Sequence, residues 1–518
     1  MLKMVDGTGI IGVDMVCPLG GAVSPPQPPN FDKVEMEGVG SLVLPNSLKA
    51  PLERLELIGN STQGENPAPD NPQEIKSAGR KSKNLLNLQK QPDVKETYLG
   101  WKVSDGRNVV LSVKDKGNNA DITGCYLGLS RTGDSSDGVV WAVNNGSVAA
   151  KEVVSKNQYV SVFPPNETTV RKLLERFDIQ VEYGNNATDY EPYGYLLDVK
   201  VTGENLLSNK PTDWMIGKTT SWGAVPQTPV SYGKNVKNAI ATINVKSSTN
   251  YSFINKETNK LWVCRIIELD ANGLGLVNHA LYANESLNYK KYNFSTRSNT
   301  ANIVFEIKKV DNTELLSTDI ESNKIMLVEG EADENAPYEP YTEQSVQIAL
   351  NEPLRGIGEY KDTIIKDGVA RKIKKAVFDG SEGWSIDKIV EGNTTQTFVL
   401  ILKDVLSIPN HDKRIMCDKF KFGTALWAKD IVAIGAYSNK LYLNVEKDKT
   451  PDLQTFKTWL SQNPLTVDYV LAEPVTEPLP GSVQAQLQAL HSENGVTHVF
   501  VDSGEVEAGI KLTYRKEI

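Results

Sequence analysis

The feature that most constrains this chain is a tetrad that occurs twice, Tyr190-Glu191-Pro192-Tyr193 and Tyr338-Glu339-Pro340-Tyr341. Each copy follows a strand-like apolar run, Phe177 to Tyr183 or Ile325 to Val328, and a loop rich in Gly, Asn, Asp and Ala. Proline fixes φ, removes a donor and biases the preceding Glu towards extended backbone, so the tetrad reads as a strand exit. Its tyrosines read as packing at a sheet end. It marks boundaries and carries no chemistry of its own. A second repeat opens the same stretches: Asn84-Leu85-Leu86 and Asn205-Leu206-Leu207, about 120 residues apart. A repeat of that length is a whole domain rather than a solenoid unit.

Inside each bracket the apolar runs are short and β-like, for example VVLSV, CYLGLS and FDIQVEY in the first and AIATINV, LWVCRIIEL and NIVFEIKKV in the second, with turn clusters between them. The expected fold class is therefore all-β: tandem β-sandwich (jelly-roll, carbohydrate-binding-module-like) domains with small β connectors. The chain divides into an N-terminal extended arm at 1–40, with four prolines between 25 and 29, a small β connector at 41–82, and sandwich modules at 83–200 and 201–345. A β-rich third module at 346–480 and a C-terminal β-hairpin at 481–518, turning at Asp502-Ser503-Gly504, complete it. Two helices are expected, over 167–177 and 453–461.

Composition excludes several classes. At 518 residues the chain exceeds one core. A net charge of -9 without a basic stripe argues against nucleic acid, and the polar composition needs no membrane. The first residues, interrupted by Asp14, lack the pattern of a signal peptide, which places assembly in a cytoplasm. Cys17, Cys125, Cys264 and Cys417 stand more than a hundred residues apart, so no CxxC site or disulfide framework is legible. His279, His411, His491 and His498 form no metal-type pair, and the Asp- and Asn-containing turns DSSDG and DANG do not match a calcium loop. No cofactor, metal or catalytic residue is expected.

The ordered phrases NSTQGENPAPDNPQEIKSAG, NLL, YEPY, EPLRGIGEYKDTI with DGVARKI, the DGSEGW tip and FKTWLSQNPLTVDYVLAEP resemble the tail-tip and baseplate minor structural proteins of tailed phages and prophages of Gram-positive bacteria. The resemblance covers residues 40 to 518. It implies a virion (tail) location, other tail or baseplate proteins as partners, a homo-oligomer with a trimer favoured, and modules presented to host cell-wall polysaccharide. It carries no binding residue over.

Sugar recognition by a sandwich uses aromatic faces with a few polar groups. The first module offers Tyr98, Trp101, Tyr126 and Trp141. The second offers Trp214 and Trp222 in the polar stretch KPTDWMIGKTTSWGAVPQ, where a loop indole would be partly exposed. Trp214, Trp222, Trp101 and Tyr98 are the expected ligand-binding residues. Trp141 in VVWAV and Trp262 in LWVCRI, on continuous apolar runs, are expected in cores. The alternatives are a purely structural virion connector and a polysaccharide-degrading tail enzyme.

Overall fold

A computed structural model of the chain describes residues 31–88, 90–95, 98–132, 137–216, 238–256, 261–270, 273–280, 290–309, 311, 313–387, 392–407, 414–423 and 432–517. It is all-β, built of antiparallel sheets with few helices. Its organiser is one twelve-stranded sheet recruited from the length of the chain. From one edge the hydrogen-bonded order is Glu343–Leu350, Tyr195–Thr202, Gly495–Asp502, Ser41–Ser47, Gly509–Glu517, Glu53–Ile58, Thr363–Ile365, Gly368–Phe378, Leu465–Pro478 and Ile415–Cys417. Phe31–Val39 pairs along Gly509–Glu517, and Arg80–Lys81 joins Tyr195–Thr202. The segments read as connectors are thus strands of a common spine.

Alternation explains why these strands lie as they do. Leu197, Val199 and Val201 point into a shared core while Asp198, Lys200 and Thr202 take the opposite face. Helix Gly481–Ala489 packs on that core through Val483 and Leu487, with Leu490 just beyond it. The spacing 483, 487, 490 is helical, so a helix stands where only strand and turn were expected within 481–518. The expected C-terminal hairpin is also corrected. Gly495–Asp502 and Gly509–Glu517 do not pair with each other, because Ser41–Ser47 lies between them. Gly40, at φ +68, bonds both sides of the gap: its N–H donates to the Ala508 carbonyl (3.0 Å) and its carbonyl accepts from Val501 N–H (2.8 Å).

Three modules leave and re-enter this spine on paired strands. The first lies between Arg80–Lys81 and Tyr195–Thr202, the second between Tyr195–Thr202 and Glu343–Leu350, and the third between Gly368–Phe378 and Leu465–Pro478. The first two share a topology. In the first, a sheet ordered Ser147–Val148, Val140–Asn144, Tyr126–Ser130, Tyr159–Phe163, Tyr98–Lys102, Asp93–Lys95 faces a sheet ordered Glu152–Ser155, Val109–Asp115, Phe177–Tyr183. In the second, Gly275–Ala280, Leu261–Leu269, Asn302–Lys309, Asn238–Asn244, Trp214–Ile216 faces Lys291–Ser295, Asn250–Asn255, Ile325–Glu329. Strand for strand these match, apart from the extra Ser147–Val148. In both, a helix precedes the last strand, Glu167–Arg176 or Ser317–Glu321. Both are jelly-roll sandwiches.

The repeated motifs meet in each sandwich. Asn84, buried, donates from Nδ2 to the carbonyls of Ile179 and Glu191 (both 3.2 Å) and accepts at Oδ1 from the N–H of Leu86 (3.0 Å) and Val181 (3.1 Å). Asn205 does the same with Ile325 (3.5 Å), Glu339 (3.1 Å), Leu207 (3.0 Å) and Leu327 (3.1 Å). The main chain adds Leu85 N–H to Val181 O (2.7 Å) and Leu206 N–H to Leu327 O (2.8 Å). One side-chain amide therefore ties the entrance of each sandwich to its last strand and to the tetrad at its exit. Asn205→Ala leaves four backbone groups, three of them buried, short of a partner, and urea unfolding should show a loss on the order of 2–4 kcal/mol. Asn84→Ala should act likewise.

The third module has its own core, centred on the stacked Phe398 and Phe456 rings (3.8 Å, 3°), with Trp384 edge-on to Phe456 at 5.2 Å. The helix expected over 453–461 spans Leu453–Gln462, started by Asp452 accepting from Thr455 N–H (2.8 Å); the one expected over 167–177 spans Glu167–Arg176, started by Asn166 accepting from Thr169 N–H (2.8 Å). At the module's base four sequence phrases converge. Asp362 accepts from the backbone N–H of Arg355, Lys372 and Ile373 (2.8–3.0 Å). Arg371 reaches Asp362 (3.4 Å), Glu477 (3.0 Å) and the Pro353 and Glu352 carbonyls. Asp468, 2% exposed, faces Arg355 at 3.6 Å.

Burial pushes the Asp468 carboxyl up to about 6 despite Arg355. The folded state therefore takes up this proton before the unfolded chain does, and Asp468 adds stability as pH falls from about 7 through 6 towards 4. On going from pH 7.5 to 4.5 in urea unfolding, the wild type should gain about 2 kcal/mol relative to Asp468→Asn, a difference that isolates this carboxyl from the other titrating groups.

Candidate functional site

The residues singled out for ligand contact lie in cores where they are described. Trp214 is 5% exposed, with Nε1 donating to the Ser208 carbonyl (2.7 Å). Its polar neighbours form a single turn, Pro211–Asp213, and the indole then enters a strand paired with Ala239 to Ala241. Its surroundings in sequence are polar, yet its ring is in the core. Trp101 is buried between the sheets of the first module, its Nε1 donating to the Lys90 carbonyl (3.0 Å), and Tyr98 is fully buried. Trp222 and the side chain of Trp262 lie outside the described residues.

The structure instead exposes an aromatic group on the outer face of the first module's six-stranded sheet. The inner face takes Leu127, Leu129, Val160 and Val162 into the core. Alternation then places Tyr126, Gly128 and Ser130 on the outside of one strand, and Tyr159, Ser161 and Phe163 on the outside of the next. Tyr126 and Phe163 are direct cross-strand partners with ring centroids 5.5 Å apart at 65°. Trp141 completes the group, 5.5 Å from Tyr126 at 63°.

Trp141 was expected in the core and is half-buried at the surface. A register shift between Leu127 and Gly128 is the cause. Leu127 opposes Val143 while Gly128 opposes Trp141, so Ala142 and Val143 both bury and Trp141 is thrown to the other face. Gly128 makes room for it. A Cβ there would lie 2.9 Å from Trp141 Cε3 and 2.6 Å from the Val140 carbonyl. The floor beside the rings is polar and small: the Ser130 and Ser161 hydroxyls bond each other at 2.6 Å. Phe163 is 36% exposed, and Tyr126, Trp141 and Tyr159 are half-buried.

The second sandwich does not repeat this surface. On the corresponding sheet Ile240, Ile267, Leu269 and Val304 form a separate fully buried cluster. The fold is duplicated and the face has diverged. No group of three or more His, Cys, Asp or Glu among the described residues could hold a metal ion, and no helix there is long and apolar enough to cross a membrane.

No family model matches the chain, and no curated protein matches it. Solved structures similar to it include one of infectious bursal disease virus, Gt strain, at 9% identity over 93% of this chain and 82% of that chain, with a TM-score of 0.12. Another is the infectious bursal disease virus VP2 subviral particle, at 10% identity over 93% and 81%, with the same TM-score. At these TM-scores neither likeness bears on what the chain does.

The geometry separates the tryptophans by energy. Trp214→Ala and Trp101→Ala should each cost about 3–5 kcal/mol in urea unfolding, whereas Trp141→Ala should cost less than about 2 kcal/mol. Equal costs would contradict the placement of Trp141.

Proposed function

We propose that the chain is a structural protein of a phage tail tip or baseplate that binds host cell-wall polysaccharide through the first sandwich, at Tyr126, Trp141 and Phe163. The observation that carries this reading is the bulge-exposed Trp141. A half-exposed indole beside two further rings, over a Gly and Ser floor, offers apolar faces to pyranose rings and edges that accept or donate hydrogen bonds. Burying those rings only partly leaves area to be covered by a ligand. The phrases shared with tail proteins supply the setting, and self-association, with a trimer favoured, follows from that setting alone. The role is binding rather than catalysis: the platform presents ring faces, its Ser130 and Ser161 hydroxyls are buried and bonded to each other, and none of its named residues is a carboxylate.

A second reading, a connector that binds only other virion subunits, draws on the burial of Trp101, Trp214 and Trp384. One experiment separates the two. Purified full-length protein should bind isolated Gram-positive cell walls saturably and be competed by soluble wall polysaccharide. Trp141→Ala combined with Phe163→Ala should reduce that binding at least tenfold with the fold intact, and Trp141→Tyr should retain part of it. Binding unaffected by the double substitution would move the site elsewhere, and no binding to any host wall would favour the connector.

A further inference from the structure

The outer face of the spine meets the second sandwich unevenly and leaves a cleft of about 1000 Å³. On the spine side are Lys200 and Thr202 of Tyr195–Thr202 and Phe500 and Asp502 of Gly495–Asp502; on the sandwich side are Asn244 and Asn302. Phe500 packs on the sandwich core, and Tyr341, the last residue of the second tetrad, also lines the cleft.

Thr202 is the telling residue. It is 2% exposed, lines the cleft, and its hydroxyl has no hydrogen-bond partner among the described residues. Leaving a buried hydroxyl unsatisfied is costly, so such groups are ordinarily completed by water or a ligand. Its cross-strand partner His498, 1% exposed, has neither ring nitrogen hydrogen-bonded, with Nδ1 3.8 Å from the Glu329 carboxylate, and its ring lies parallel to Phe500 with centroids 6.0 Å apart. Burial drives the imidazole down to about 4, so it contributes no positive charge beneath the cleft at neutral pH.

The charges select the ligand class. Lys200 is held by Glu343 at 2.7 Å and Lys246 by Glu329 at 3.2 Å, while the carboxylates of Asp198, Asp213, Asp502 and Glu507 line the cleft. A phosphate or other anion would meet net negative charge. Hydroxyl, amide and carboxylate groups lining a cleft together with the rings of Phe500 and Tyr341 suit a neutral polyhydroxylated ligand. We propose that this cleft is a second binding site, for a saccharide residue, in which a sugar hydroxyl completes Thr202 and the bound ring braces the second sandwich against the spine. The site is separate from the aromatic platform of the first sandwich and does not depend on it.

The test uses full-length protein and thermal unfolding with N-acetylglucosamine or, separately, galactose at about 100 mM. Thr202→Val keeps the shape and removes the hydroxyl; because that hydroxyl is unpartnered, the variant alone should melt no lower than the wild type. At least one sugar should raise the melting temperature of the wild type and of Trp141→Ala by about 2 °C more than that of Thr202→Val. The variant comparison cancels the general stabilisation that sugars give by exclusion. An equal rise in Thr202→Val, a rise lost only in Trp141→Ala, or no difference with either sugar would overturn the proposal. So would a large destabilisation by Thr202→Val, which would show that the hydroxyl is already satisfied.

Discussion

Everything in this molecule depends on closing each sandwich where it joins the spine. An inserted domain begins and ends on neighbouring strands, and at those junctions backbone groups leave one sheet without yet belonging to another. Buried and unpaired, each would cost roughly 1–3 kcal/mol. Asn84 and Asn205 meet this need with one side chain per junction, donating to two carbonyls and accepting from two amides. Asparagine suits the position because its amide carries both donors and acceptors without charge. The tetrad supplies the other half of the contact through a backbone carbonyl, which is why its Glu is met at the main chain. In the first copy the Glu191 carboxylate is also used, accepting from Arg80 (2.8 Å) and the Lys83 N–H (2.9 Å); against burial, the Lys83 N–H and then Arg80 hold its carboxyl below the ordinary range.

The third insertion is closed differently. There an ionic knot replaces the amide: Asp362 gathers three backbone N–H groups, Arg371 bonds two carbonyls, and Asp468 sits against Arg355. A fully buried ionic arrangement is a weak source of net stability but a strict one in geometry. Its members come from EPLRG, YKDTI and GVARKI, which follow one another closely, and from TVDYV far downstream, so the fold brings distant phrases to one place.

How much of this was legible varied with the kind of signal. The β class, the two capped helices and the paired boundary motifs follow from local pattern: period-two alternation, Asn166 and Asp452 before helical runs, and repeated tetrads. The spine was not legible as one sheet, because strand partners hundreds of residues apart leave no mark in a local window; Ser41–Ser47 entering between Gly495–Asp502 and Gly509–Glu517 is the plainest instance. The exposure of the tryptophans was hidden for a related reason. Polarity around Trp214 suggested exposure, whereas a single turn carries that ring into the core. The apolar run around Trp141 suggested burial, whereas a bulge reverses its face. Gly128, placed opposite Trp141, is the residue that could have hinted at it.

The central claim is that one face of the first sandwich meets the ligand while the duplicated second sandwich has lost that face. Hydrogen exchange of the full-length protein, with and without soluble wall polysaccharide, tests this most directly. Slowed exchange should be concentrated in Tyr126–Ser130, Val140–Asn144 and Tyr159–Phe163, with the matching strands of the second sandwich unchanged. Protection confined to the neighbourhood of Trp214, or spread equally over both sandwiches, would contradict it.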